Sequence, residues 1–276
     1  MEEYYFLFGL AALFSIFAIF VDFKKREVPN WLNFSLIGFA LAYRAFYSIH
    51  SKDVSYFVFG VIGFAIFFTL AYGFYFARAF AGGDAKLLMG FGIILPYNEI
   101  PELIYFSILF ISALFSLGAI YSLIYSLFIV SKRKDRFYLE FVKKIKKIHK
   151  IFFFLCIILI GALLSNNLLG WVSFLSILGL FLLYIYISIL DKCMIIKLDA
   201  SSLSEGDWLD KNVNVGNKII KKSVHGLSLK DIKILKKANK KVYIKEGIPF
   251  TPAFLISLIT VFFFLFLGFQ DLSFLF

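Results

Sequence analysis

Two aspartates lie where long apolar runs end, and they are the residues of this chain best suited to chemistry. Asp84 stands in the sequence Gly-Gly-Asp-Ala-Lys at residues 82–86, and Asp22 closes the first apolar run before the basic cluster at residues 24–26. An ionisable side chain near bilayer depth is costly, so its presence indicates a function. The two aspartates together predict one shared site.

Two carboxylates held close together can hydrolyse a peptide bond without a metal ion or a nucleophilic side chain. One carboxylate activates a water molecule as a base, while the other protonates the leaving amine as an acid. Because two like charges at short range do not both ionise readily, such a pair can share one proton and titrate as a unit. The pattern therefore favours acid–base hydrolysis at Asp22 and Asp84.

This sequence has few residues suited to other hydrolytic mechanisms. No serine lies in a Gly-x-Ser-x-Gly turn, and no His-Glu-x-x-His helix is present. The cysteines, Cys156 and Cys193, form no Cys-x-x-Cys pair. The histidines all fall outside the predicted membrane spans: His50, His149 and His225. We expect no metal ion and no cofactor at the site.

The residues around Asp84 predict a loop that opens into a helix. Gly82 and Gly83 let the backbone turn or approach a neighbouring segment closely. The N-terminus of the following helix would stabilise a negative Asp84, and Lys86 either adds to this effect or extends its amine to the membrane interface. An ordinary break between spans, with Asp84 as an interfacial helix cap, is the alternative interpretation.

The residues after Asp22 predict a tight connection between the first two helices. Val28, Pro29 and Asn30 are typical of a turn that starts a helix, and Asn30 is the expected N-cap. Taken alone, an aspartate before a basic run also fits a solvated ion pair. The functional interpretation therefore depends on Asp22 and Asp84 together.

The composition indicates a polytopic membrane protein. Hydrophobic residues make up 61% of the chain and charged residues 17%, against roughly 25% charged residues in soluble domains. Several apolar runs reach the ~20 residues that a helix needs to cross a bilayer. The first run starts with two glutamates, so we expect a retained span rather than a cleaved signal peptide. The predicted spans are residues 4–22, 31–49, 54–77, 85–97, 102–130, 151–168, 171–190 and 250–269.

The distribution of charge predicts the orientation of these spans. With the N-terminus outside the cell, nearly all of the 29 Lys and Arg residues fall on the cytoplasmic side, as the positive-inside rule requires. Asp22 and Asp84 then both lie at cytoplasmic helix ends of a multi-pass protein of the cell membrane. The net charge of +11 is explained by this topology, so we expect no nucleic-acid partner.

We predict an all-α polytopic fold with about six to eight transmembrane helices and a small cytoplasmic α+β domain before the last helix. Strands are expected at residues 193–198, 217–221 and 241–245, and a helix at 228–238, with Ser228 and Asp231 in capping-box position. The predicted parts are a catalytic core (1–131), a basic segment (132–150), a helical hairpin (151–190), the small domain (191–249) and a last membrane helix (250–276).

The basic segment at residues 132–150 has two interpretations. Its apolar residues recur at helical spacing between many lysines, which predicts an amphipathic helix on the anionic inner leaflet, in contact with membrane lipids. A plain charged connector that obeys the positive-inside rule is the simpler interpretation.

The two aspartate motifs resemble those of the type IV prepilin peptidase family, which includes the archaeal preflagellin peptidases. Members pair an aspartate at the end of the first span, followed by basic residues and a Pro-Asn turn, with a second aspartate in a Gly-x-Gly-Asp motif before Lys. The matching stretches here are residues 22–30 and 81–88, where Ala81 replaces the first glycine. Residues 246–254 also resemble the archaeal branch.

The resemblance implies an aspartic endopeptidase that removes a short basic leader from pilin-like or flagellin-like precursors at the cytoplasmic membrane border. Without the N-terminal Cys-x-x-Cys zinc domain of many bacterial relatives, it implies a peptidase without methyltransferase activity. Asp22 and Asp84 would be the catalytic pair. The supporting motif residues would be Gly82, Gly83, Lys86, Pro29 and Asn30.

Two other classes of membrane protein fit the sequence less well than a prepilin peptidase does. A presenilin-like protease would carry Tyr-Asp and Pro-Ala-Leu motifs, which are missing from the expected spans. A proton-linked transporter that uses intramembrane carboxylates favours charges near mid-span or inverted repeats with broken helices. Both aspartates instead lie at predicted span ends.

Overall fold

The computed structural model describes residues 2–77, 79–146, 159, 161, 168–216, 218–223 and 226–266. Its contacts divide the chain into two compact units. The first unit comprises Met1–Ile124 and Ile248–Phe276, and the second comprises Tyr125–Gly247.

The helices of the first unit form an apolar bundle. They are α1 (Glu2–Lys25), α2 (Asn30–Ser51), α3 (Ser55–Phe76), α4 (Gly82–Ile94), α5 (Ile100–Lys132), whose last turns enter the second unit, and α9 (Thr251–Phe266). Among the described residues, five helices are long and apolar enough to cross a membrane: Glu3–Lys25, Asn30–Ser51, Ser55–Phe76, Ile100–Lys132 and Leu168–Cys193. The prediction of a polytopic helical membrane protein is confirmed.

Helix α4 is too short to cross a bilayer by itself. Its 13 residues span ~20 Å, whereas the hydrocarbon core is ~30 Å thick. The helix begins three residues before the predicted span at 85–97 and ends at Ile94. Leu95 has an extended backbone because the following residue, Pro96, disfavours a helical conformation before it.

Close backbone contact fixes α4 against α3. A Cβ atom added to Gly92 would lie 2.6 Å from the carbonyl oxygen of Gly63 and 2.6 Å from the Cβ of Phe67. Only glycine allows such an approach. Helix α4 is therefore held in the interior of the bundle, with Leu87, Leu88 and Phe91 fully buried.

The second unit joins two helices to a small α+β region. Helix α6 is described over residues 134–146, and α7 spans Leu168–Cys193. An antiparallel sheet contains three strands in the order β1 (Ile195–Leu198), β5 (Val242–Lys245) and β2 (Trp208–Leu209). A second antiparallel pair joins β3 (Val213–Val215) to β4 (Lys218–Ile220). Helix α8 spans Leu229–Lys237 and packs through Ile232 and Leu235 into the core of this region.

The predicted elements of this region are largely present. The runs at 193–198, 217–221 and 241–245 contain β1, β4 and β5, whereas the two- and three-residue strands β2 and β3 carry too little pattern for detection. Ser228 caps α8 in the predicted capping box with Asp231. The predicted span at 151–168, apart from residues 159, 161 and 168, lies outside the described residues, as do His149, Cys156 and His225.

Candidate active site

Asp22 lies on the last turn of α1 and is only 7% exposed. Its Oδ2 accepts a hydrogen bond of 2.9 Å from the Thr251 hydroxyl at the start of α9. Helix α1 continues to Lys25, and the left-handed backbone of Arg26, with φ of 57°, ends it there. The last turn of α1 thus places Asp22 in the interior of the bundle, just before the chain turns at Arg26.

Asp84 lies on the first turn of α4. The extended backbone of Ala81 precedes the helix, and the Ala85 N–H closes the first turn by bonding the Ala81 carbonyl at 3.0 Å. The positive end of the helix dipole therefore lies beside the Asp84 carboxylate. Its neighbours Gly83 and Lys86 contact Val28 and Asn30 of the segment that follows Asp22, so the structure brings the two motifs into one region.

Gly83 lies against the connection between α1 and α2. A Cβ atom at Gly83 would lie 3.1 Å from the Cβ and the N atom of Val28. The Asn33 side-chain amide also donates a hydrogen bond of 3.2 Å to the Gly83 carbonyl. Gly82 has more room, since its nearest neighbour would be a Tyr75 ring atom at 3.7 Å. The second glycine, rather than the first, allows the two motifs to pack together.

Lys86 and Asn30 link the two motifs by a side-chain hydrogen bond. The Lys86 Nζ donates to the Asn30 Oδ1 over 2.6 Å. The prediction of Asn30 as N-cap of α2 is wrong, because Pro29 occupies the cap position and Asn30 is the first helical residue. Proline pre-sets the backbone angle there, and the Asn30 side chain is then free to bind the lysine.

Arg44 holds the other end of α4, and sequence reasoning did not identify it. The side chain is fully buried and donates to the carbonyl oxygens of Ile93 at 2.6 Å, Leu95 at 2.7 Å and Tyr56 at 2.6 Å. Carbonyls at a helix C-terminus have no partner within the helix. Arg44 supplies that partner and lies 4.6 Å from the centre of the Tyr56 ring.

Three residues of this region were absent from the sequence-based site: Thr251, Asn33 and Arg44. Asn33 and Arg44 are polar residues within the second apolar run, and this placement is the sequence signal that could have identified them. Both side chains are fully buried in the structure. Thr251 carries no comparable signal, because a threonine at the start of an apolar helix is common.

The described residues contain no group of three or more His, Cys, Asp or Glu side chains that could hold a metal ion. Asp22 and Asp84 by themselves provide two carboxylates. Such a pair can activate water and donate a proton.

Comparison with known proteins identifies the class that this fold and site define. Residues 9–129 match the model of the type IV leader peptidase family. This segment contains Asp22, Asp84 and all five supporting residues. The first helix, which ends near Asp22, and α4, which begins near Asp84, both lie in this segment. Residues 9–129 are therefore similar to the type IV leader peptidase family, and the similarity covers less than half of the chain.

Curated relatives include archaeal enzymes. A preflagellin peptidase of Methanocaldococcus jannaschii is 33% identical over 94 residues, covering 34% of this chain and 40% of that protein. A preflagellin peptidase of Methanococcus maripaludis is 33% identical over 92 residues, covering 33% and 40%. The prepilin peptidase EppA of Methanothermobacter thermautotrophicus is 32% identical over 100 residues, covering 36% and 26%.

The chain thus spans 40% of the length of the two preflagellin peptidases that it matches. No solved structure matches the chain. The relatives give no support to the alternative of a proton-linked transporter.

Proposed function

We propose that this protein is a membrane aspartic endopeptidase that removes the short basic leader from prepilin-like or preflagellin-like precursors. Asp22 and Asp84 are the catalytic pair, one acting as base toward water and the other as acid toward the leaving amine. Gly82, Gly83, Lys86, Pro29 and Asn30 support them. The names of the relatives, preflagellin peptidase and prepilin peptidase, are the basis for the substrate class.

The observation that carries this proposal is the meeting of the two aspartate motifs. Asp22 and Asp84 are separated by two intervening helices in the sequence. The contacts of Gly83 with Val28 and of Lys86 with Asn30 nevertheless bring the two segments that carry them together. Packing of this kind is what acid–base hydrolysis by two carboxylates requires.

The charges of the first unit support a cytoplasmic active site. Basic residues 24–26 and Lys86 share the end of the bundle that carries the aspartates. The opposite end, where α1 begins and α4 ends, carries the acidic residues Glu3, Asp53, Glu99 and Glu102. The positive-inside rule then orients the N-terminus outside and the site toward the cytoplasm, where a precursor keeps its basic leader.

Membrane lipids are a further expected partner, through α6. One face of this helix packs on α7, since the Phe137 and Tyr186 ring centres lie 6.1 Å apart. Next to this face Tyr138, Phe141 and Ile145 are exposed, and lysines flank them. An exposed apolar stripe beside basic residues suits the surface of an anionic leaflet, so we expect higher activity in anionic than in neutral nanodiscs.

The test of the proposed function is cleavage of a defined precursor. The purified full chain, in lipid nanodiscs, is incubated with a preflagellin, and the products are analysed by mass spectrometry. We expect one cut between the basic leader and the hydrophobic helix, insensitive to a metal chelator, with no methyl group on the new N-terminus. An intact precursor, together with proton flux in vesicles, would contradict the proposal and favour a transporter.

A further inference from the structure

Thr251 connects the last helix directly to Asp22. The threonine is the first residue of α9 and its side chain is fully buried. Its hydroxyl donates to the Asp22 Oδ2 at 2.9 Å, and its backbone N–H lies 3.5 Å from the same oxygen. This bond joins residues 229 positions apart in the chain, so it exists only in the folded bundle.

The hydroxyl of Thr251 differs from the other hydroxyls of α9. Ser257 is also fully buried, but its hydroxyl donates to Ala253 within the same helix, at 2.7 Å. Thr260 does the same toward Ile256, at 2.9 Å. Thr251 alone among these three reaches out of its helix, and its acceptor is one of the two candidate catalytic carboxylates.

The start of α9 also contacts the segment that carries the other aspartate. The Phe250 ring, next to Thr251, lies 5.5 Å from the ring of Phe80, which precedes the Gly82-Gly83 pair. Phe254, one turn along α9, lies 6.1 Å from the same ring. A Cβ atom at Gly118 of α5 would lie 2.5 Å from the Phe250 ring. The missing side chain at Gly118 therefore leaves the room that the Phe250 ring occupies. The position of Thr251 is therefore fixed against both motifs.

We propose that Thr251 is a positioning residue for Asp22. The terminal torsion of an aspartate side chain is broad, so an unanchored carboxylate samples many orientations. The Thr251 hydroxyl engages Oδ2 and thereby sets the direction in which Oδ1 is presented to water or substrate. This inference rests on the proposed function, because the orientation of Asp22 matters only when Asp22 takes part in cleavage.

Substitutions that separate the hydroxyl from the shape of the side chain test this role. Thr251→Val removes the hydroxyl at nearly constant volume, and Thr251→Ser keeps the hydroxyl without the methyl group. Ser257→Ala is the matched control, since it removes a buried hydroxyl from the same helix. Preflagellin cleavage by the full chain in nanodiscs is measured for each variant as kcat and KM, beside Asp22→Asn. Thr251→Ala replaces the valine variant should that variant not fold.

We expect Thr251→Val to lower kcat by about tenfold to 100-fold, the scale on which misplacement of a catalytic group acts, with KM within about twofold. Thr251→Ser should restore kcat to within a few-fold of wild type, and Ser257→Ala should leave it unchanged. A wild-type kcat for Thr251→Val beside an inactive Asp22→Asn overturns the positioning role and leaves the proposed function intact. Equal losses in Thr251→Val and Ser257→Ala overturn it as well.

A measurement independent of activity tests the contact itself. The free energy of unfolding is compared for wild type, Thr251→Val, Asp22→Ala and the double variant. If the hydroxyl acts on Asp22, the cost of Thr251→Val falls once the carboxylate is gone. Equal costs in both backgrounds contradict the proposed positioning. An Asp22→Asn variant that cleaves preflagellin at the wild-type rate overturns the proposed function and this inference together.

Discussion

Asn33 and Arg44 lie about three turns apart on the buried face of α2 and hold opposite ends of α4. Asn33 donates to the Gly83 carbonyl in the first turn of α4, and Arg44 donates to the Ile93 and Leu95 carbonyls at its end. Helix α4 cannot be anchored by both membrane interfaces, because it is shorter than the bilayer core. Side chains of α2 anchor it instead, and Asp84 is positioned as a result.

Gly83→Ala should impair both packing and cleavage. The new Cβ would lie 3.1 Å from backbone and side-chain atoms of Val28, a buried residue, so the neighbouring segment would have to shift. We expect a loss of about 1–3 kcal/mol in the free energy of unfolding and at least a tenfold loss in kcat, measured by denaturant unfolding in micelles and by precursor cleavage. Gly9→Ala, at an exposed position where the added Cβ would meet nothing within 4 Å, is the control. Equal effects of the two substitutions would contradict the packing described for Gly83.

Arg44→Met should destabilise the first unit strongly. The substitution leaves three buried carbonyl oxygens without their donor, and each unsatisfied group costs about 1–3 kcal/mol. We expect the free energy of unfolding to fall by roughly 3 kcal/mol or more. Lys52→Met, at the exposed end of the same helix, should change it by less than about 0.5 kcal/mol. Similar stabilities for the two variants would show that Arg44 does not anchor α4.

The bond between Lys86 and Asn30 should contribute little to stability. It is exposed to solvent, where water competes for both groups, so we expect a coupling energy below about 1 kcal/mol. The measurement is a double-mutant cycle of Lys86→Met and Asn30→Ala, followed by unfolding. A coupling of several kcal/mol would indicate that this contact, rather than Gly83 and Asn33, holds the two motifs together.

Ser228→Ala should loosen α8 in the second unit. Ser228 caps this helix in a reciprocal capping box with Asp231, and loss of such a cap costs about 1 kcal/mol. Hydrogen exchange of the α8 amides in the full chain should therefore be faster by about fivefold. Ser201→Ala, at an exposed position outside the helix, serves as control. Unchanged exchange in Ser228→Ala would refute the capping assignment.

Sequence reasoning predicted the capping box of Ser228 and Asp231 because it follows a local rule that tertiary packing does not alter. Asp22 and Asp84 were selected because each lies at the edge of an apolar run, and their catalytic role stays a prediction. The Gly82-Gly83 pair was identified, but only the structure distinguishes Gly83, which packs tightly on Val28, from Gly82, where an added Cβ would make an ordinary contact with the Tyr75 ring at 3.7 Å.

The remaining features depend on contacts between distant segments. The bond of Thr251 to Asp22 joins the two ends of the chain, and no spacing within the sequence reveals it. Arg44 was not identified, because its carbonyl partners at Ile93 and Leu95 become available only when α4 ends beside α2. Asn30 does not cap α2 as predicted, because Pro29, with its extended backbone, occupies the N-cap position.

Single-turnover cleavage of a preflagellin by Asp22→Asn and by Asp84→Asn tests the catalytic pair most directly. Asp53→Asn, the same substitution at an exposed aspartate, is the matched control. Each catalytic variant should bind precursor and unfold at the wild-type temperature, yet cleave at least about 100-fold more slowly, because acid–base catalysis contributes on the order of 10²–10⁴-fold. Asp53→Asn should cleave at the wild-type rate. Cleavage at the wild-type rate by either Asp22→Asn or Asp84→Asn would contradict the proposed mechanism.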